Sequence, residues 1–254
     1  MKIKILLVLV VIITAGSITS CSDWLDVKPK SQVKDDELFS SEPGFKEALS
    51  GVYSLLVSES LYTKELRFGM AGVLAREWSY YTTVSNGYAG EEDYDYTVSA
   101  TENRIEAIWE GLYNAISNAN VILEVIDGRK SVFSGDNYNI IKGEALALRA
   151  FCHFELLRYF GVSWTVNPNQ PAIPYVKHYA PLQSPQLTVS QVIDKVLEDL
   201  EEAVVLLKSD PIFTGKVITE LDDNGYLMNR QRHLNYYAVK GLQARIYLYK
   251  KDYP

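Results

Sequence analysis

Cysteine and histidine are scarce in this chain, with two Cys and three His among 254 residues. Two cysteines cannot build the disulfide framework that holds many small secreted domains together. His153, His178 and His233 fall into no HExxH or comparable metal spacing, and GxSxG, P-loop and GxGxxG motifs are absent. An excess of positive charge is also missing. Lys and Arg number 25 against 32 Asp and Glu, a formal charge of -7, and no basic patch is visible, which argues against a nucleic-acid partner because phosphate binding needs a concentrated basic surface. No apolar run reaches the ~20 residues that a membrane-spanning helix requires. The run from Ile5 to Ile13 falls well short.

That run nevertheless has the anatomy of an export signal. Lys2 and Lys4 precede it, and small or hydroxylated residues follow from Thr14 to Ser20. A buried N-terminal helix or a retained membrane anchor is the alternative. Ile18-Thr19-Ser20-Cys21 resembles a bacterial lipoprotein box, whose cysteine is lipid-modified and becomes the new N-terminus. Residues 1–20 are then a signal peptide, 21–40 a lipid-anchored tether and lead-in, and 41–254 a helical body. With Cys21 acylated, Cys152 has no partner and reads as a small buried hydrophobe in ALRAFCHFELL.

The body is patterned for helices. Phe45, Leu49, Val52, Tyr53 and Leu56 recur at spacings of three and four, predicting a helix from Pro43 to the vicinity of Ser58–Tyr62. Residues 63–98 mix aromatics, Thr and the turn pair Asn86-Gly87, a pattern of loops and short strands. Ser99 and Glu102 then form a capping box before the stripe Ile105, Ile108, Trp109, Leu112, Ile116, Ala119, Leu123 and Ile126, which Gly128 stops. A third helix from about Tyr138 carries Ile141, Ala145, Leu148, Cys152, Leu156 and Tyr159 inward and takes Gly161 as its C-cap. These two helices make an antiparallel hairpin. Pro168, Pro171, Pro174, Pro181 and Pro185 turn residues 161–187 into a long extended excursion. Thr188 with Gln191 opens a helix reaching about Lys208, and Asn235 caps a last one. The fold class is all-α, a tetratricopeptide-like set of helical hairpins with long irregular loops and room for a short β-hairpin. So short a stack leaves an apolar end that further chain or a partner must cover.

Eighteen Tyr and four Trp are a generous aromatic supply. Trp78, Tyr80, Tyr81 and Tyr88 cluster in the non-helical segment, where a ring can face the apolar C–H side of a sugar while Arg76, Glu77 and Asn86 meet its hydroxyls. Packing of the same rings beneath the loop is the ordinary alternative. Trp164 in GVSWTVNP is a further candidate, whereas Trp109 and Phe160 lie on helix stripes and belong to the core. Glu91 and Asp93 read as a solvated acidic loop, with an oxygen-liganded calcium ion as the lesser alternative and catalysis below that. No other metal or cofactor is expected.

Three stretches together resemble the SusD/RagB family of Bacteroidetes outer-membrane lipoproteins: CSDWLDVKP at 21–29, IWEGLYNAISNANVILEVI at 108–126 and IIKGEALALRAFCHFELLRYFG at 140–161. The resemblance implies a non-catalytic protein at the cell surface. Such a protein captures glycans, or in some members peptides, for a TonB-dependent SusC-like transporter, and its lipid at Cys21 sits in the outer membrane. Asp23 and Asp26, close behind the anchor, resemble the acidic start of surface-exported lipoproteins. It also implies that Trp109, Asn114, Asn118, Asn120, Glu144, Arg149, Arg158 and Gly161 are scaffold. Family members are commonly about twice this length, so the chain looks like an N-terminal portion. A structural or docking domain without its own ligand is the alternative function.

Overall fold

The computed structural model describes residues 37–78, 87–179 and 183–252. The chain divides into two compact units, Met1–Leu38 and Phe39–Pro254. The first, with the expected signal segment and Cys21, lies almost wholly outside the described residues, and every element from Glu42 onward belongs to the second.

Helix α1, Glu42–Leu56, starts with Pro43 in its first turn and buries Phe45, Leu49, Val52 and Leu56 on one face. A series of turns leads to two short helices, α2 (Met70–Leu74) and α3 (Ala89–Glu92). Two long helices follow, α4 (Ser99–Ile126) and α5 (Asn137–Phe160), joined by a 3-10 turn over Asp127–Val132. The excursion after α5 contains strands β1 (Pro171–Pro174) and β2 (Gln186–Thr188), an antiparallel pair with Pro171 opposite Thr188 and Pro174 opposite Gln186. Prolines are tolerated in β1 because a two-stranded sheet has only edges. Helix α6 (Val189–Leu206), one-turn α7 (Pro211–Thr214) and α8 (Tyr236–Lys250) complete the set.

Helix α5 is the centre. It packs against α4 on one side and α6 on another, while α1 lies on α4 and α8 on α6. The architecture is all-α, a set of helical hairpins of tetratricopeptide type with one small sheet. The sequence assigned α5 a single inward stripe, but its buried positions run through Ile140, Glu144, Leu146, Leu148, Arg149, Ala150, His153 and Glu155. A helix covered all round must bury its polar residues too, and each then needs a partner. Small residues permit the crossings: a Cβ added at Gly143 would meet Leu207 Cγ at 2.8 Å. Each fully buried large apolar side chain, such as Phe45, Leu112, Ile141 or Phe154, contributes roughly 1.5–3 kcal/mol relative to exposure.

Several predicted details differ. Ser99 does not cap α4: it is the first helical residue, and the amides of Thr101 and Glu102 donate to the Val98 carbonyl at 2.8 and 2.9 Å, so the Glu102 amide that the Ser99 hydroxyl would accept is already taken. Gly128 does not stop the helix, which tightens into the 3-10 turn before Arg129 departs from helical geometry. Gly161 is the C-cap of α5 as expected, though with extended rather than left-handed backbone (φ -93°, ψ 158°). A glycine fits there because a Cβ would lie 2.6 Å from the Leu157 carbonyl oxygen. The strand pair lies in the proline-rich excursion, and the described part of 63–98 holds turns and short helices instead. By contrast, Thr188 and Gln191 form the expected capping box, and the Asn235 side chain accepts from Ala238 N at 2.9 Å.

Candidate functional site

The described parts of residues 63–98 are fastened to the helices by one buried charge cluster. Glu65, 5 % exposed, accepts the Met70 amide on Oε2 at 2.8 Å and the Tyr88 hydroxyl on Oε1 at 2.7 Å. Arg104, in the second turn of α4, reaches across to it: Nε lies 3.5 Å from Glu65 Oε2, and Nη1 pairs with Glu91. The same guanidinium lies over the Tyr88 ring, 4.2 Å from its centroid, and donates from Nη2 to the Gly87 carbonyl at 3.1 Å. Gly87 has φ +79°, a left-handed geometry that suits glycine. Burial, reinforced by the hydrogen bond to Glu65, pushes the Tyr88 phenol upward, so it stays a donor.

Trp78 stands on the other flank. Its indole N–H donates to the Phe68 carbonyl at 2.6 Å, and its ring meets Tyr88 edge-to-face with centroids 5.6 Å apart at 88°. Trp78 is half-buried, whereas Tyr88 is only 4 % exposed and has a guanidinium on its ring. Tyr88 therefore supports its neighbours and has no free face to offer. Tyr80, Tyr81 and Asn86 lie outside the described residues. Trp164 belongs to the α8 side, where Lys250 Nζ sits 5.2 Å from its ring centroid.

The acidic loop is not uniformly solvated. Glu91 is fully buried against Arg104, because pairing with a guanidinium compensates the loss of water, while Asp93 is exposed. A positive charge already on Glu91 opposes a calcium ion there. Among the described residues, no three His, Cys, Asp or Glu side chains are grouped to hold a metal.

Two non-glycine residues of this segment, Arg76 (φ +57°) and Tyr94 (φ +54°), hold left-handed backbone and touch one another. Arg76 Nε donates to the Tyr94 hydroxyl at 3.2 Å, its Nη2 donates to the Glu92 carbonyl at 2.7 Å, and its guanidinium covers the Tyr94 ring at 4.8 Å. Beside them a cleft of about 350 Å³ opens between α2, the start of α4 and the end of α5, lined by Met70, Leu74, Tyr96, Ile105, Ile108, Tyr159 and Phe160. Phe160 is thus a wall of this cleft; it and Trp109, expected in the core, are both half-buried, their rings edge-to-face with centroids 4.8 Å apart. Burial and nearby Glu155 push the Tyr159 phenol up to about 12.

Of the helix residues assigned to the scaffold, Asn120, Glu144 and Arg149 are buried and enter interior polar clusters. Arg149 donates to both oxygens of Asp199, at 2.6 and 2.8 Å, and to Asn120 Oδ1 at 3.0 Å. Asn120 in turn holds the Val176 carbonyl at 3.0 Å. Glu144, buried completely, meets Tyr53, Arg230 at 2.6 Å and His233 at 3.0 Å. Burial opposes its charge, yet the hydrogen bond from His233 and the charge of Arg230 hold its carboxyl below the usual range. Arg158 pairs with Glu155 at 2.9 Å, and Asn118 bonds back to Asn114 on an exposed turn. No described helix is long and apolar enough to cross a membrane.

The Arg104 cluster thus holds a ring-bearing segment of turns and short helices against a frame of helical hairpins. Residues 23–219 match the SusD-like family described as starch-binding and associating with the outer membrane, and the chain belongs to this SusD/RagB family. SusD-like protein P25 of Formosa agariphila is 26 % identical over 167 residues, which are 63 % of this chain and 31 % of P25. SusD-like protein P38 of the same organism is 25 % identical over 213 residues, 80 % of this chain and 38 % of P38. Among solved structures, a SusD-like carbohydrate binding protein from Bacteroides vulgatus superposes with TM-score 0.61 at 20 % identity, covering 83 % of this chain and 42 % of that one. Surface glycan-binding protein A from Bacteroides uniformis gives 0.61 at 18 %, covering 84 % and 43 %. At these identities the structural likeness establishes the fold. The chain spans 31 % to 38 % of the length of the curated relatives it matches.

Proposed function

We propose that this chain is the helical base of a cell-surface glycan-capture protein that serves a TonB-dependent, SusC-like transporter in the outer membrane. Residues 1–20 direct export, and a lipidated Cys21 holds the protein in outer-membrane lipid. The glycan lies against the ring-bearing segment: Trp78, Tyr80 and Tyr81 supply aromatic faces, Asn86 and Arg76 meet hydroxyls, and Trp164 extends the surface. Capture and release are the whole activity, with no bond made or broken and no cofactor.

The observation that carries this reading is the buried Arg104 cluster, which ties a segment rich in rings to the family's frame through Glu65, Glu91 and Gly87. Trp78, held by the Phe68 carbonyl and the Tyr88 ring before a ligand arrives, loses little entropy on binding. The test is a glycan panel against the mature chain, with Trp78→Ala and Tyr81→Ala as probes. By analogy with nucleic-acid bases, each stacking ring is worth about 1–3 kcal/mol. Unchanged affinity in both variants would remove the platform. A chain that co-purifies with its transporter yet binds no glycan is instead a docking domain. Selective capture of peptides would mark it as a peptide-binding member.

A further inference from the structure

We infer that the cleft between α2, α4 and α5 is a subsite for a neutral aryl group attached to the captured ligand, as in an aryl ester or ether of a sugar. The inference rests on the capture function proposed above and names the kind of substituent the ligand carries.

The lining decides the chemistry. Met70 and Ile108 form a floor at 5 % and 1 % exposure, half-buried Leu74, Ile105, Tyr159 and Phe160 make the walls, and Tyr96 stands at the mouth, 47 % exposed. None of the seven side chains is charged, although the chain as a whole carries -7. The only side-chain hydroxyls are those of Tyr96 and Tyr159. A bare sugar ring buried here would leave most of its hydroxyls without partners. A flat apolar ring leaves none, and one or two linkage oxygens can accept from the two phenols. Size agrees: an apolar cavity of about 150 Å³ admits benzene, and this cleft of about 350 Å³ accommodates a substituted ring.

Its mouth is held open by specific contacts. The Tyr94 hydroxyl donates to the Leu74 carbonyl at 3.4 Å, Asp95 N donates to the Gly90 carbonyl at 2.7 Å, and Asp95 Oδ1 takes the Thr97 amide and hydroxyl at 2.9 and 2.6 Å. Tyr96 lies between these fixed points. The left-handed conformations of Arg76 and Tyr94 persist only where surroundings over-determine them, a feature that concentrates at ligand sites. The cleft also adjoins the proposed platform, because Met70 and Tyr88 share the Glu65 carboxylate.

The probe is methyl ferulate, with methyl hexanoate as the aliphatic counterpart, followed by saturation-transfer NMR and titration on the full chain. The ring protons of methyl ferulate receive saturation, methyl hexanoate binds at least about tenfold more weakly, and Ile105→Glu weakens methyl ferulate binding by about tenfold or more. Tyr96→Ala, at an exposed position that packing does not require, weakens it severalfold, so the test survives if Ile105→Glu fails to fold. Absence of ring saturation, equal binding of the two esters, or methyl ferulate binding undisturbed in both variants overturns the inference. Unsubstituted oligosaccharides are measured in parallel: a protein that binds them but not methyl ferulate keeps the proposed function and loses the aryl subsite. Binding of methyl ferulate alone does the reverse.

Discussion

Replacing Arg149 with Met tests whether the interior network holds the central helices together. Arg149 has 8 % side-chain exposure and Asp199 has 2 %, and two hydrogen bonds join them. Met fills most of the space but leaves the Asp199 carboxylate with the Tyr175 hydroxyl at 2.5 Å and Lys177 only at 3.9 Å. Removing one member of a buried ion pair costs about 3–5 kcal/mol, because the other charge stays desolvated. For a body of this size, each kcal/mol lowers Tm by about 2–4 °C, so the variant should melt about 6–20 °C below the parent. Urea unfolding followed at 222 nm gives the free energy directly. Asp199→Leu alone should also destabilise, and the double variant should be better than the sum of the singles by more than about 1 kcal/mol, as expected for groups in contact. A loss under about 1 kcal/mol for Arg149→Met, or simple additivity, would refute the reasoning.

Three further outcomes are expected. His153 is buried among Arg149, Tyr113 and Tyr175, with Nε2 accepting the Val176 amide at 3.0 Å and Lys177 nearby, and burial lowers its pKa from 6.5 to about 3. The unfolded chain therefore binds a proton that the folded chain refuses, so this contribution is complete above pH 6.5 and is lost as pH falls toward 3. Between pH 6.5 and 5 it amounts to about 2 kcal/mol, and His153→Gln should flatten the dependence of urea midpoints on pH by that amount. Gly143→Val forces a side chain against Leu206 and Leu207 and should cost about 1–3 kcal/mol; an unchanged melting curve would deny the close approach. Gly241 lies mid-helix in α8 with open space around its missing Cβ, so Gly241→Ala should raise stability by about 0.5–1 kcal/mol in thermal melts.

The long helices were legible because an apolar stripe repeated over many turns averages out local exceptions. The capping boxes separate signal from coincidence: Thr188 with Gln191 forms one, but the similar pair Ser99 and Glu102 does not, since Val98 already accepts the amides. Spacing alone cannot say which residue is the last non-helical one. Helices α2 and α3 span five and four residues, too few for any periodicity to register. Glu91 misled for another reason. In EEDYD it looks like one acid among several, and its partner Arg104 sits in another element. A faint clue existed, for Arg104 immediately precedes Ile105 and Ile108 on a helix that buries that side. The aromatic candidates were identified by composition, but that Tyr88 is turned inward depends on Arg104 and Glu65. Neither stood out in the sequence.

The grip on Trp78 and Gly87 separates two jobs. Trp78 is held through Phe68 and Gly87 through Arg104, so each of these two residues has a fastening of its own. The two fastenings are separate clasps, one on a backbone carbonyl and one made by a guanidinium. A different 79–86 sequence grafted between the same two clasps therefore leaves both fastenings in place, an outcome that melting curves of the graft would check.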